Sequence, residues 1–351
     1  MCWSPTVKLP LGRFRECAPV SAGWADRPEG GGRLAIRLIR LVAETVGRGP
    51  TRLLLWPITA YFVLVRGPER RASRDYLTRV LGRPARLPDI FRHVHVFSAT
   101  ILDRVFLLGG QLPRFQLQLV DPEQLIEHLD KSGGALMFGS HLGSFEVLRV
   151  LATERPKLQL RVVLDVGHNP ALTELLDALN PGVAKTVIDA GQDGPSLLLA
   201  IKEATDAGAL VAMLADRVQP GQPSQSAEFL GGPARFPVAP WLLASVLKVP
   251  VLLGFGLYRG GRRYDLLFEM FDPCLRIERR QRSQALQGII QRYADRLQHH
   301  ARSAPYNWFN FYDFWQADDA AIEPSPAPAP ADRAMADRVV VAADRDGSSR
   351  G

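Results

Sequence analysis

The sequence is poor in cysteine, with Cys2, Cys17 and Cys274 scattered through 351 residues. No C-x-x-C pairs them, and an odd count cannot close a disulfide framework. A chain of this kind is held by its apolar core and suits a reducing compartment. Metal-ligand clusters are missing as well. His93/His95 and His299/His300 have no cysteine or acidic neighbours at ligand spacing, which argues against a structural zinc site. No apolar run reaches the roughly 20 residues that span a bilayer. The longest, Leu53 to Val65, holds 13 residues and contains Pro57. Residues 1–33 lack the uninterrupted apolar stretch of a secretory signal. A G-x-S-x-G occurs at Gly347 to Gly351, but it follows the charged Asp344-Arg345-Asp346 rather than a buried apolar strand and does not read as a serine nucleophile elbow.

What is present is a core-forming chain with 46% hydrophobic residues and a net charge of +7. The charge is lopsided. Residues 1–110 carry 18 Lys/Arg against 8 Asp/Glu, and the remainder is slightly acidic. A nucleic-acid binder would spread its basic charge along the binding surface. Here the excess coincides with the apolar N-terminal segments, which fits an anionic membrane surface. Trp56, Tyr61 and Phe62 lie in the apolar run, and Arg66, Arg70, Arg71 and Arg74 follow it. Aromatic residues behind a cationic collar suit the headgroup region, although a helical hairpin packed on the domain gives the same pattern.

Four regions follow from the patterning. Residues 1–32 read as an irregular arm, and 33–112 as a helical, membrane-associating region. Residues 113–316 read as an α/β core, and 317–351 as a Pro/Ala-rich disordered tail. In the helical region, spacing predicts a helix from Leu34, then helices over 68–82 and 88–108. In the core, strands are expected at 115–120, 134–139, 160–164, 184–188, 209–215, 228–230, 250–257 and 264–271. Helices are expected at 122–132, 144–153, 170–179, 196–207, 238–248 and 279–301. Strand-helix alternation of this kind gives an α/β fold with helices packed on a central sheet.

Chemistry-bearing residues gather where strands end. The apolar run Ala135 to Gly139 leads into His141-Leu142-Gly143-Ser144-Phe145-Glu146. A histidine in a strand-to-helix loop, with a carboxylate in the next turn, can act as a general base and its orienter. A histidine there can equally cap a helix. The setting favours chemistry, because ligands of open α/β sheets bind beyond strand C-termini. Gly143 lets backbone approach a ligand closely, and its N–H is a candidate oxyanion donor. Asp216 and Arg217 follow another buried strand, so they are expected at the same rim, with Arg217 able to meet a phosphate or an oxyanion. Gly231, Pro233 and Arg235 lie in a rigid Gly/Pro loop that could line an acyl chain, with Arg235 able to meet a phosphate, or could be a turn that simply connects two elements. The aromatic segment Pro305 to Trp315 is expected to pack on the core.

Taken in order, His141-x4-Glu146, Asp216, Phe229-x-Gly231-x-Pro233-Ala234 and the segment around Trp308 resemble the late acyltransferases of lipid A biosynthesis. These belong to the lysophospholipid acyltransferase-like group. The resemblance covers roughly residues 34–316. It implies a central mixed sheet flanked by helices, as in glycerol-phosphate acyltransferases. It also implies an enzyme at the cytoplasmic face of the inner membrane, peripheral or monotopic. Such an enzyme moves an acyl chain from a thioester donor, acyl carrier protein or acyl-CoA, to a lipid or glycolipid acceptor. It implies no cofactor, no metal and no nucleic-acid partner. His141 would be the base and Glu146 its partner, with Gly143, Asp216, Arg217, Gly231, Pro233 and Arg235 at the substrates. The chain departs from the family where Asp216 is followed by Arg217 rather than Gln. It also carries Asp165 where members show a basic pair. An acidic residue there points to a divergent branch with an acceptor other than a phosphorylated disaccharide. A glycerophospholipid-type acyltransferase and a catalytically silent lipid- or carrier-binding protein are the alternatives.

Overall fold

The computed structural model describes residues 41–42, 45–120, 133–149, 159–167, 173–174, 179, 181–219 and 221–315. The expected arm, the Pro/Ala tail and the helix at 122–132 lie outside these residues, as does most of the helices expected from Leu34 and at 170–179. Three helices come first: α1 (Arg48–Val65), α2 (Gly67–Leu81) and α3 (Leu87–Leu108). The helices predicted over 68–82 and 88–108 hold to within a residue at each end. Pro68 and Pro88 sit in the first turns of α2 and α3, where a missing N–H has no helical acceptor to lose. Gly82 ends α2 in the left-handed conformation.

The apolar run 53–65 forms most of α1, with Pro57 inside the helix. Its buried side chains Thr51, Leu55, Thr59 and Val63 recur every four residues and make one face. That face packs on α3. Leu55 joins Leu102, Val105 and Phe106 in one apolar cluster, and Thr59 lies 3.3 Å from the His95 ring nitrogen.

The core is α/β with a seven-stranded mixed sheet. Its strands in chain order are β1 (Gln116–Val120), β2 (Ala135–Gly139), β3 (Leu160–Leu164), β4 (Val187–Asp189), β5 (Leu210–Leu214), β8 (Val251–Gly260) and β9 (Arg263–Asp272). They lie side by side as β1-β9-β8-β2-β5-β3-β4. Only β8 and β9 pair antiparallel, and every other neighbour is parallel. Helices α4 (Gly194–Asp206), α5 (Ala239–Leu247) and α6 (Arg282–Ser303) complete the core.

β2 shows why helices cover both faces. All five of its residues are buried, as a central parallel strand requires. Leu136 and Phe138 join Trp241 of α5 and Ile290, Tyr293 and Leu297 of α6 in one cluster. Ala135 and Met137, on the opposite face, join the α1–α3 side chains.

Three expectations change, the first being that the strand read at 228–230 falls mostly in a turn, because the strand there spans Ser224–Glu228. The Gly/Pro loop is the turn and second strand of a hairpin, β6 (Ser224–Glu228) with β7 (Pro233–Pro237). Its burial alternates, with Ala234 and Phe236 inward and Pro233 and Arg235 outward, which is a strand period. Leu230 and Gly231, both at positive φ, make the turn. Of the helix expected over 144–153, the described residues form a short 3-10 turn, Glu146–Arg149, and the rest lies outside them. Among the described residues, no helix is long and apolar enough to cross a membrane.

A buried charge cluster ties the helical region to the sheet. Asp103 of α3, fully buried, accepts from Arg48 Nε at 2.7 Å and Nη2 at 2.8 Å, and from Tyr264 Oη at 2.8 Å. Removing one member leaves the rest buried and unpaired. Asp103→Ala is therefore expected to lose about 3–5 kcal/mol of stability, read as a lower urea midpoint. Asp103→Leu combined with Arg48→Met is expected to recover much of that loss. A double variant as weak as Asp103→Ala would show that packing, not the stranded charge, sets the cost.

Candidate active site

β2 and β5 pair in register, with Gly139 opposite Leu214. His141 and Asp216 each lie two residues beyond those partners, so the sheet delivers them side by side at one rim. Ala215 N–H donates to Gly139 O at 3.0 Å and carries the pairing one step past the strands. From the other side of Gly139, Tyr293 of α6 donates its hydroxyl to the same carbonyl at 3.0 Å.

Asp216 is fully buried and accepts three hydrogen bonds. His141 Nδ1 donates to its Oδ1 at 2.8 Å, the His141 backbone N–H to its Oδ2 at 2.9 Å, and the Trp308 indole Nε1 to its Oδ2 at 3.1 Å. A carboxylate can only accept, so the proton of neutral His141 sits on Nδ1. Nε2 then carries the lone pair. The His141 side chain keeps 27% of its surface exposed, whereas Asp216 keeps none. The pairing of a buried carboxylate with an accessible imidazole is that of a general base and its orienter.

The electrostatics keep the imidazole neutral. Burial lowers its pKa, the nearby Arg217 charge lowers it further, and Asp216 offsets part of this. Burial alone would raise the Asp216 pKa, but the His141 charge and hydrogen bond, with Arg217, hold it below the ordinary carboxylate value. The site is thus an ionised carboxylate beside an unprotonated base at neutral pH.

Glu146 does not orient His141, contrary to its expected role. It turns away to Arg104 of α3, whose Nε lies 2.7 Å from Oε1 as an ion pair, without the N–H alignment of a hydrogen bond. Its Oε2 accepts from Ser144 Oγ at 3.1 Å. Glu146 therefore braces the loop against α3. Nor is Asp216 a substrate contact, because no part of it reaches the surface.

Gly143 is essential to the loop for a reason other than ligand approach. It has φ +80°, and a Cβ there would stand 2.0 Å from Gly256 O of β8. Its N–H donates to Asn307 O at 2.8 Å, and Ser144 N–H donates to Gly256 O at 2.8 Å. Both amides are committed, which removes Gly143 as an oxyanion donor. Arg217 is at the rim as expected, held by Asn310 Oδ1 at 2.7 Å and Phe309 O at 2.8 Å. Gly231 and Pro233 are exposed residues of the hairpin, and Arg235, also exposed, donates to Ser224 of the paired strand at 2.8 Å. The contacts of these three stay within the hairpin. Phe229 reaches toward the site, with its ring 5.2 Å from that of Trp308.

Residues 112–317, more than half of the chain, match the model of the bacterial lipid A biosynthesis acyltransferases. The chain belongs to that family. Comparison with curated proteins gives no match. The matched stretch of this acyltransferase holds the whole sheet, His141, Asp216 and Trp308, and leaves α1–α3 outside it.

Trp308 and Arg104 are the site residues that sequence reasoning missed. Trp308 stood in a segment read correctly as core packing, and nothing local marked its indole N–H as the donor to Asp216. Arg104 follows the buried Asp103 on an amphipathic helix, and nothing in its local spacing points to Glu146 as its partner.

The lowered His141 pKa has a directional consequence. A histidine held neutral by the fold contributes stability that is full above its unfolded value, near 6.5, and is lost as pH falls through the folded value. An imidazole titration by NMR is expected to place the His141 midpoint below 6.5. Arg217→Gln should raise that midpoint, because a neighbouring positive charge is removed. A wild-type midpoint above 6.5 would contradict the neutral-base geometry.

Proposed function

We propose that this family member transfers an acyl chain from a thioester donor to a hydroxyl of an envelope lipid or glycolipid, with His141 as general base and Asp216 as its orienting carboxylate. The observation that carries this reading is the Nδ1–Asp216 bond, which leaves an accessible Nε2 lone pair at the sheet rim. Nε2 takes the acceptor proton as the acceptor oxygen attacks the thioester carbonyl carbon. The tetrahedral intermediate collapses, the C–S bond breaks, and the imidazolium returns the proton to the departing thiolate. No acyl-enzyme is needed. Arg217, close enough to depress the His141 pKa, places positive charge where the oxyanion develops. Glu146 serves by fixing the loop through Arg104 and Ser144. Acyl carrier protein is the proposed donor, with acyl-CoA as the other thioester of the same chemistry.

The acceptor lies in a membrane, and α1 offers a surface for one. Leu53, Leu54, Trp56, Tyr61, Leu64 and Val65 are exposed on its outer side. Arg71 and Arg74 are exposed on α2 just beyond. An apolar, aromatic helix face beside exposed arginines supports peripheral attachment to an anionic bilayer. We place that bilayer as the inner membrane and the site at its cytoplasmic side.

His141→Ala is expected to abolish transfer from acyl carrier protein to envelope lipid, read by mass spectrometry of products, with the circular dichroism spectrum unchanged. Asp216→Asn should lower kcat by on the order of 10³–10⁴, as loss of an orienting carboxylate does elsewhere. Glu146→Gln should cost far less. Full activity of folded His141→Ala would sink the mechanism, and a labelled glycerophospholipid product would move the acceptor to that class. Separately, Trp56→Glu with Leu64→Glu is expected to reduce sedimentation with anionic vesicles at least tenfold, since each replaces apolar surface by charge. Unchanged sedimentation would remove α1 as the attachment face.

A further inference from the structure

We propose that Ser73, His93 and Trp308 form a positioning relay for the Asp216–His141 pair, which makes the helices outside the matched family stretch part of the catalytic machinery. The inference rests on the reading of His141 as the base. His93, on α3, is fully buried, and both of its ring nitrogens are bound. Nε2 lies 2.8 Å from Trp308 O, and Nδ1 lies 2.8 Å from Ser73 Oγ on α2. A carbonyl can only accept, so Nε2 carries the proton and Nδ1 accepts from the Ser73 hydroxyl. The tautomer is set by the network. Burial also drives the His93 pKa down to about 4, which keeps the ring an uncharged donor through the physiological range.

What His93 holds is the residue that holds Asp216. The Trp308 backbone is gripped at its carbonyl by His93. Its two neighbours bond the catalytic loop, with Phe309 N–H donating to His141 O at 2.9 Å and Asn307 O accepting from Gly143 N–H at 2.8 Å. Its indole N–H then has one orientation left, toward Asp216 Oδ2 at 3.1 Å. Aromatic packing removes the remaining slack. Tyr76 of α2 lies with its ring 5.4 Å from His93 and 5.0 Å from Trp308, and Phe311 lies 4.8 Å from His93. Ser73 and His93 both precede residue 112, where the family match begins. A histidine with no solvent contact and two directed bonds has a more specific task than filling space. Here the task is to aim a backbone whose side chain orients the catalytic carboxylate.

The test uses the full chain, tetradecanoyl-acyl carrier protein as donor and total envelope lipid as acceptor. His93→Phe keeps the aromatic ring and loses both hydrogen bonds. It is expected to lower kcat about tenfold or more, in the range typical of lost orienting partners, with KM for the donor unchanged. His93→Gln, which can still offer an N–H to Trp308 O, should recover most of the rate. Ser73→Ala, a milder deletion, should lower kcat about two- to threefold. Trp308→Phe removes the indole donor, and in that background His93→Phe should add no further loss, because the path to Asp216 is already cut. Wild-type kcat in folded His93→Phe, or losses that multiply independently in the Trp308→Phe background, would overturn the relay. Activity surviving in His141→Ala marks failure of the base reading itself. A dead His141→Ala beside an unaffected His93→Phe marks failure of the relay alone.

Discussion

The structure depends on one buried carboxylate. Asp216 is without solvent contact, and an ionised group in that position is costly unless its lone pairs are filled. Three donors fill them, and each comes from a different requirement of the fold. The backbone N–H of His141 reaches it because β2 and β5 end in register. The imidazole reaches it because the same residue turns back over its own amide. The indole reaches it because the C-terminal segment lies along the loop as a short antiparallel bridge between Leu142 and Trp308. A shift of any one partner would strand charge in the core, so the need to satisfy Asp216 and the need to aim His141 are met by the same bonds.

That coupling explains why the loop is so tightly determined around a single exposed imidazole. Gly143 and Gly256 let two backbones cross where a Cβ on either would collide with the other segment. Gly256 also accommodates Val147, whose methyl group would stand 2.3 Å from an added Cβ. The loop amides are spent on Asn307 and Gly256 instead of on a ligand. For the proposed base this rigidity is preorganisation: the imidazole is held before a substrate arrives, so little reorganisation remains for the reaction step. In the proposed mechanism the oxyanion is met by charge at the rim, where Arg217 is held by the same segment that carries Trp308.

Much of this was legible in the sequence where local rules decide. Apolar strands ending in His141 and Asp216, the helices around Pro68 and Pro88, and the packed aromatic segment all follow from periodicity and the habits of proline and large aromatic residues. The hairpin at 224–237 was half read. Glycine and prolines signalled a loop, yet the alternation of Ala234 and Phe236 against Pro233 and Arg235 is a strand period. Partner identity was the part out of reach. Glu146 is five residues from His141, and Asp216 is 75 residues away, so sequence proximity favoured the wrong carboxylate. Register decides the matter, and register depends on which strands become neighbours. Arg104 then accounts for Glu146, since a carboxylate drawn into an ion pair with α3 is no longer available to the imidazole.

The same logic changes how the N-terminal helices are understood. Their composition speaks only of a surface: apolar and aromatic residues outward on α1, arginines beyond. Their inner faces say something different. Arg48 and Asp103 lock α1 and α3 to the β8–β9 turn and Tyr264, Arg104 braces the loop through Glu146, and His93 grips the Trp308 carbonyl. Each contact joins a helix that lies outside the family match to a residue inside it. A membrane-facing element that merely tethered the core would need a linker and an apolar seam. Directed, buried hydrogen bonds at two of these points, with an ion pair at the third, fix orientation as well as distance. The helices proposed to meet the lipid surface are therefore built into the frame that holds His141 and Asp216, so in the proposed mechanism one frame sets both membrane attachment and the aim of the imidazole.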